Sequence, residues 1–358
     1  MSIKKTNTYR ALYLLISFLA VFTTFIFVLT CKSDLQIAKS ELPNCKNIEE
    51  VRLCWSKHEN NLSQNEDFAK AVREKLNLLT ISDSQLVKIN EWLLKPPTYL
   101  NIILVPDLSR RIIDTFNNPD QIKNDTTLLN CVWNSFVKNV KLKSDSKDRL
   151  IVDITDPSQA VGNFRNIAND LIFDLSTHKG QSNTLFFKKQ GDKFSRNINT
   201  LYSMSKNRPQ GADYWLYFKD DLTKRIQKNT IFENYRNLVV IVTDGYLESE
   251  TQYYTGYLDL HNSICRDLKS GGKIENIFES RKLKIEPLNL NLSNLEVLIL
   301  EVNERNVGIG CHYEILKKYW KDWFVAMKVK NANSDFFIQR NNATDLSKKN
   351  IEEFIRNE

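Results

Sequence analysis

The chain has 358 residues, of which 42% are hydrophobic and 11% aromatic, and its formal net charge is +7 at pH 7. This apolar content is enough to bury a sizeable core, so the composition predicts a globular protein of one large or two smaller domains. No basic stripe is interleaved with aromatic residues, which excludes nucleic acid as the expected partner.

An uncharged apolar run extends from Ala11 to Thr30, and three positive residues, Lys4, Lys5 and Arg10, precede it. Its length lies at the boundary between the apolar region of a signal peptide and a membrane-spanning helix. Positive residues before such a run stay in the cytoplasm. The sequence therefore predicts that the rest of the chain is exported to the cell envelope.

The apolar run ends in Val28-Leu29-Thr30-Cys31, which resembles a bacterial lipobox, although threonine departs from the small residue usual before the cysteine. The resemblance implies that residues 1–31 are a signal peptide and that Cys31 becomes the lipidated N-terminus of an envelope lipoprotein. An uncleaved membrane anchor and simple secretion are the alternatives.

Residues 32–97 form a polar segment with helical periodicity, seen in the spacing of Phe68, Val72 and Leu76. Proline disfavours helix at the residue before it, so Lys95-Pro96-Pro97 is predicted to end this helical segment and to mark a domain boundary.

Cys45 and Cys54 lie within this segment and are the predicted disulfide of an exported protein. No Cys-x-x-Cys or clustered Cys/His spacing occurs, and the histidines are scattered along the chain, at His58, His178, His261 and His312. The sequence therefore gives no support for a zinc site.

From Tyr99 onward strand and helix signals alternate, as is typical of βαβ units and a mainly parallel sheet. The predicted strands are Asn101–Val105, Arg149–Thr155, Leu238–Val242, Leu295–Val302 and a short strand near Phe336, with Thr184–Phe187 as a further candidate. The predicted helices cover Thr126–Val140, Phe164–Leu175, Phe194–Met204, a segment opening at Gly211, Gly310–Trp323 and Ser347–Ile355.

An aspartate follows the C-terminal end of two of these predicted strands. Asp107 follows the first strand with the spacing Asp-x-Ser, and Asp244 follows the strand Leu238–Val242 in the sequence Thr-Asp-Gly. Ligands of open α/β sheets bind at the edge where the strands end, so this edge is the predicted functional site. A strand-terminal aspartate can also cap the next helix, which is the purely structural alternative.

The order Asp-x-Ser, Gly-x-Asp and Thr-Asp-Gly resembles the metal-ion-dependent adhesion site of von Willebrand factor A domains. The resemblance implies a Rossmann-like, three-layer α/β/α sandwich over residues 98–358, preceded by the small helical segment. About fifty residues, 246–294, stand where this family has a short connection. They are predicted to be an insertion that leaves the sheet at the site edge.

Carried over to this sequence, Asp107, Ser109 and Asp244 match the family's ligands, and Asp213 stands where a threonine is expected. The resemblance implies one divalent cation, Mg²⁺, Mn²⁺ or Ca²⁺, because all these ligands are hard oxygen donors. Arg111 replaces the second serine of the Asp-x-Ser-x-Ser loop, which is the largest departure from the family pattern.

Two roles remain open for Arg111. Its guanidinium, which matches carboxylates bidentately, can pair with Asp213 or Asp107 and replace the cation. Alternatively, it points outward and, together with Tyr246, holds an anionic ligand while three carboxylates bind the metal.

The sequence thus favours a membrane-tethered binding module that recognises a protein or an anionic ligand at its site edge. A metal-free envelope scaffold with a degenerate site is the alternative. A magnesium-dependent phosphohydrolase also places an aspartate after a buried strand, but it needs a second acid two residues later, where this chain has Ser109. We therefore expect no enzymatic activity.

Overall fold

The computed structural model of the protein describes residues 33–114, 119–143, 146–156, 159, 162–178, 183–209, 212–247, 261–305, 310–340 and 345–356. The apolar run and Cys31 lie outside these residues. Within the described ranges, no helix is both long and apolar enough to cross a membrane. The chain divides into two compact units: residues 33–97 with Asn229–Asn234, and Thr98–Lys228 with Tyr235–Glu358.

The N-terminal unit consists of four helices, α1 (Asp34–Glu41), α2 (Ile48–Leu62), α3 (Glu66–Asn77) and α4 (Asp83–Trp92). Each begins after a serine or asparagine whose side chain accepts a hydrogen bond from a backbone N–H of the first turn, which satisfies a donor that the helix itself leaves unpaired. Trp55 stacks on Phe68 with 5.1 Å between ring centroids. These helices therefore enclose a small core of their own.

The second unit is built on a six-stranded sheet with the strand order β3-β2-β1-β4-β5-β6. The strands are β1 (Thr98–Pro106), β2 (Arg149–Val152), β3 (Ile172–Asp174), β4 (Asn234–Val242), β5 (Leu295–Val302) and β6 (Phe337–Gln339). β2 is parallel to β1, and β5 is parallel to both β4 and β6, whereas β3 pairs with β2 in the antiparallel direction. The predicted mainly parallel sheet is confirmed.

Both faces of the central strands are buried. In β1, Ile103 and Val105 belong to one hydrophobic cluster, while Ile102 and Leu104 belong to the cluster on the other face. Strands covered on both faces read as continuous apolar runs instead of alternating ones. For this reason the runs that contain β1, β4 and β5 were visible in the sequence.

Helices contribute to both clusters. The cluster that contains Ile103 includes residues of α8 (Tyr214–Tyr217), α9 (His261–Lys269), α10 (Ile274–Arg281) and α11 (His312–Ala326). The opposite cluster includes residues of α5 (Gln121–Val140), α6 (Gly162–Asn169), α7 (Asn183–Asn207) and α12 (Asp345–Arg356). After α8 the chain continues through a π-helical turn, Phe218–Leu222, and a helical turn, Thr223–Arg225.

Two predicted elements differ from the structure. The stripe Phe164–Leu175 is not one helix, because α6 ends at Asn169 and Ile172–Asp174 form the edge strand β3. Thr184–Phe187 is not a strand but the first turn of α7, which runs without interruption to Asn207. A short apolar run fits either period, and only its neighbours in the fold decide between helix and strand.

Candidate functional site

Asp107 and Asp244 meet at the edge of the sheet where β1 and β4 end. The two strands are neighbours, and the backbone N–H of Asp107 donates to the carbonyl of Val242 at 2.9 Å. The two aspartates are only 1% and 3% exposed. The prediction that their strands lie side by side is confirmed, and both carboxylates lie inside the protein.

The carboxylate of Asp107 has partners on both oxygens. Its Oδ1 accepts the backbone N–H of Ser109 at 2.9 Å, and its Oδ2 accepts the hydroxyl of Thr243 at 2.7 Å. The Nε of Arg111 lies 3.1 Å from the same Oδ2. The oxygen that a cation would use is therefore already in contact with a positive group.

Arg111 points into the protein, not into solvent. Its Nη2 donates to Asp125 Oδ2 at 2.7 Å and to the carbonyl of Val242 at 2.9 Å. Burial opposes the guanidinium charge, but Asp125 and Asp107 outweigh it and raise the pKa of Arg111. Of the two predicted roles, the geometry matches the inward one, although Asp125, not Asp213, is the second acid.

Asp125, on α5, is completely buried and was absent from the predicted site. Burial raises the pKa of its carboxyl to about 6, against the opposing effects of Arg111 and of hydrogen bonds from Gln121 and Tyr202. These two bonds measure 2.7 Å and 3.1 Å. Asp125 is thus held by three donors, which is how proteins make a buried carboxylate tolerable.

The network continues from Gln121 to Arg340, which follows β6, and to Glu301 in β5. Arg340 donates through Nη1 to Gln121 Oε1 at 3.1 Å, and its Nε lies 3.5 Å from Glu301 Oε2. Glu301 is buried, and its backbone lies in the left-handed region with a φ of 68°. Neither of its carboxylate oxygens accepts a hydrogen bond from a described residue. Burial, reinforced by nearby Asp125, raises the pKa of Glu301 to about 7.

Asp244 is held by a separate arginine. Its Oδ2 accepts Arg305 Nε at 2.7 Å, and its Oδ1 accepts the backbone N–H of Tyr246 at 3.2 Å. Burial raises the pKa of Asp244, while Arg305 acts in the opposite direction. The guanidinium of Arg305 also lies over the Tyr246 ring, 4.5 Å from its centroid.

The other predicted site residues, Asp213, Tyr246 and Ser109, have three different environments. Asp213 caps α8 by accepting the backbone N–H of Leu216 at 2.9 Å, and the preceding Gly211 lies outside the described residues. Tyr246, predicted to hold a ligand, is 3% exposed, and its hydroxyl lies 2.5 Å from His312 Nδ1. The hydroxyl of Ser109 is buried and has no hydrogen-bond partner among the described residues.

Gly245 fixes the turn that follows Asp244. Its φ is +87°, and a Cβ there would lie 3.1 Å from both Phe337 and Val302. Its carbonyl accepts the indole N–H of Trp320 at 2.9 Å. Only glycine combines a positive φ with the absence of a Cβ, so only glycine fits here without strain. The Thr-Asp-Gly sequence thus has a structural reason that is independent of any metal.

A second group of side chains that are typical metal ligands lies in the N-terminal unit. Of the predicted site residues, only the cysteines of the predicted disulfide lie near it in sequence. Glu41, Cys54 and His58 bring one ligand atom each to within 4.8 Å of one another, and they could hold a metal ion. Among the described residues, Asp107, Asp213 and Asp244 do not form such a group.

The predicted disulfide is wrong. Cys45 and Cys54 are free, and the disulfide joins Cys265 of α9 to Cys311, which precedes α11. The Cα atoms of the bonded pair are 5.7 Å apart, within the normal range for a disulfide. Proximity along the chain suggested the first pair, whereas packing of α9 against α11 brings together cysteines separated by 46 residues.

No protein-family model matches the chain, and neither a curated protein nor a solved structure matches it significantly.

Five members of the network around Arg111 were missed from the sequence: Gln121, Asp125, Tyr202, Glu301 and Arg340. Glu301 did carry a signal, because a charged residue inside a buried apolar strand is costly and calls for a charged partner. Asp125 and Gln121 are four residues apart and so share a helix face. Nothing local, however, connected that face to Arg111.

Proposed function

We propose that the protein is a metal-independent binding module of the cell envelope, with the α/β/α arrangement of a von Willebrand factor A domain and an arginine in place of the adhesion-site cation. The observation that carries this proposal is the position of the Arg111 guanidinium, buried between Asp107 at 3.1 Å and Asp125 at 2.7 Å.

The donor set fits a cation poorly. A divalent ion at this edge would have to displace Arg111 from Asp107 and Arg305 from Asp244, and it would leave the buried Arg111 beside a second positive charge. Breaking a buried ion pair costs about 3–5 kcal/mol, because one charge is left uncompensated. The arginines therefore supply the positive charge that a metal supplies in the family.

The binding surface that we assign to this edge is the turn Arg110–Ile113, which directly follows Asp107 and Ser109. Arg110 is exposed, and Ile113 is 45% exposed despite its apolar side chain. Arg111, between them, anchors the turn to the interior. A basic and an apolar side chain on an anchored turn suit a protein partner that presents a carboxylate beside an apolar group.

A metal-dependent adhesion module is the second candidate, and one observation favours it. The Ser109 hydroxyl is buried without a hydrogen-bond partner among the described residues, as a vacant metal ligand would be. The two candidates differ in their response to divalent cations.

We expect the full chain, freed of bound metal beforehand, to have the same melting temperature with and without millimolar Mg²⁺, Mn²⁺ or Ca²⁺. A ligand that binds only the folded state stabilises it by RT ln(1 + [L]/Kd), so bound metal would raise the melting temperature. Differential scanning calorimetry measures this directly. A cation-dependent rise that disappears in Asp107→Ala would establish the metal-dependent candidate instead.

A binding experiment tests the same proposal. Envelope proteins retained by the immobilised chain should be identical with and without Mg²⁺, and those that bind the turn Arg110–Ile113 should be lost with Arg110→Glu or Ile113→Ser. Lys141→Glu, an exposed change after α5, is the matched control. Retention that needs a cation, or that ignores both turn variants, would contradict the proposed surface.

Membrane tethering through Cys31 is part of the proposal and rests on the sequence Val28-Leu29-Thr30-Cys31. Expressed in a bacterium, the native chain should incorporate labelled fatty acid and fractionate with membranes. Cys31→Ala should lose the label and keep residues 1–31, whereas Cys131→Ala should do neither. Membrane association of the native chain without any label would support an uncleaved anchor.

A further inference from the structure

The N-terminal unit brings together chemically different ligand groups from two consecutive helices. Cys54 and His58 are four residues apart on α2 and therefore lie on the same helix face. Glu41 is the last residue of α1. One ligand atom from each of the three lies within 4.8 Å of the others.

The spacing of these atoms fits a small tetrahedral site. His58 Nε2 and Glu41 Oε2 are 3.0 Å apart. Two such ligands on one tetrahedral zinc ion, each at about 2.0–2.1 Å from the metal, are about 3.3 Å apart. The pair therefore needs to open by only a few tenths of an ångström to admit the ion.

A fourth ligand is adjacent. The thiol of Cys45 lies in the turn between α1 and α2 and approaches the carbonyl of Glu41 at 3.9 Å. It also approaches the carbonyl of Glu50 at 3.6 Å. Cys45, Cys54, His58 and Glu41 thus supply two sulfurs, one nitrogen and one oxygen from a stretch of eighteen residues.

Neighbouring groups hold two of these side chains in place. Lys57 binds the other oxygen of Glu41, with Nζ 2.6 Å from Oε1, which leaves Oε2 directed at His58. The ring of Phe68 packs edge-on against the imidazole of His58 at 6.0 Å. Partners that orient ligands in this way are typical of metal sites.

We infer that Glu41, Cys45, Cys54 and His58 bind one zinc ion that links the end of α1 to the middle of α2. Mixed sulfur and nitrogen ligands select a borderline-soft metal over Mg²⁺ or Ca²⁺. With four protein ligands the site is closed, as in structural zinc sites, so its role is to stabilise the N-terminal unit. This inference is independent of the proposed binding function of the sheet edge.

The experiment is a Co²⁺ titration of the full chain, reduced with a phosphine that does not bind the metal. We expect one equivalent of Co²⁺ to produce thiolate-to-cobalt charge-transfer absorption with tetrahedral d–d bands, and one equivalent of Zn²⁺ to abolish both. The melting temperature of the N-terminal unit should rise with the same stoichiometry, because the metal binds the folded state.

Three variants test the ligands, and a fourth is the control. Cys54→Ser should lose binding, Cys45→Ser should reduce the charge-transfer intensity, and Glu41→Gln should weaken binding while it keeps the thiolate bands. The last change is at a partly exposed side chain, so it tests the site even if a cysteine variant fails to fold. Cys131→Ser, a free cysteine outside the cluster, should bind like the native chain.

Two results would overturn the inference. One is the absence of thiolate bands at one equivalent of Co²⁺ in the reduced native chain. The other is a peptide map in which Cys45 and Cys54 of the isolated protein are joined to each other and no zinc is bound. Equal affinities in the native chain and Glu41→Gln would remove Glu41 from the ligand set.

Discussion

Replacing Arg111 with serine should lower the free energy of unfolding by about 3–5 kcal/mol in metal-free buffer, the cost of removing one partner from a buried ion pair. The variant leaves Asp107 and Asp125 facing each other without the guanidinium that now contacts both. Without the guanidinium, the two carboxylates repel each other, which adds to the loss. Urea denaturation at pH 7 measures the loss.

The same substitution restores the Asp-x-Ser-x-Ser loop of the metal-ion-dependent adhesion site. If Arg111 stands in for the cation, Arg111→Ser should acquire Mg²⁺ or Mn²⁺ binding by calorimetry and recover part of its stability in millimolar metal. Arg110→Ser, at the exposed neighbouring position, should do neither. Equal metal affinity in the native chain and Arg111→Ser would exclude the replacement.

The central strands of the sheet could be predicted from the sequence because strands that are buried on both faces appear as continuous apolar runs. β5 was predicted as Leu295–Val302, the range that it has. The edge strand β3 could not, since its three residues are too few to establish a period. Tertiary pairing with β2 decides their conformation.

The site was predictable only where its residues follow the strands in sequence. Asp107 and Asp244 were found because each ends an apolar run. Asp125 comes from a helix, and its pairing with Arg111 depends on how α5 packs against the sheet. The Arg111–Asp125 contact spans fourteen residues of chain without any local spacing that marks it.

The cysteine pattern shows the same limit. Cys265 and Cys311 are bonded because α9 and α11 pack together, and α9 lies within the stretch that was predicted only as an insertion. The ligand group in the N-terminal unit was missed because the sequence was searched only for clustered cysteines and histidines. Cys54 and His58 share a helix face, and Glu41 reaches them only through the turn between α1 and α2.

The last prediction concerns Glu301, whose folded-state pKa is raised by burial from 4.5 to about 7. Below about pH 4.5 the carboxyl is protonated in both states. Between there and pH 7 the unfolded chain loses the proton while the folded protein keeps it, so the free energy of unfolding falls as pH rises. The shift corresponds to about 3 kcal/mol, complete above the folded-state pKa.

Glu301→Gln replaces the protonated acid with a neutral side chain of the same shape. It should match the native protein near pH 4.5 and exceed it by about 3 kcal/mol at pH 8, since it removes a charge that the folded state buries. Urea denaturation at a series of pH values gives the difference curve.

Glu296→Gln is the matched control on the same strand. Against the opposing effect of partial burial, hydrogen bonds from Arg236 and Lys330 lower the pKa of Glu296. Its loss should therefore destabilise the protein above about pH 4.5, the opposite sign. A Glu301→Gln difference curve that is flat between pH 4.5 and 8 would mean that Glu301 is ionised in the folded protein. Arg340, 3.5 Å away, would then balance its charge, and the site network would not take up a proton at neutral pH.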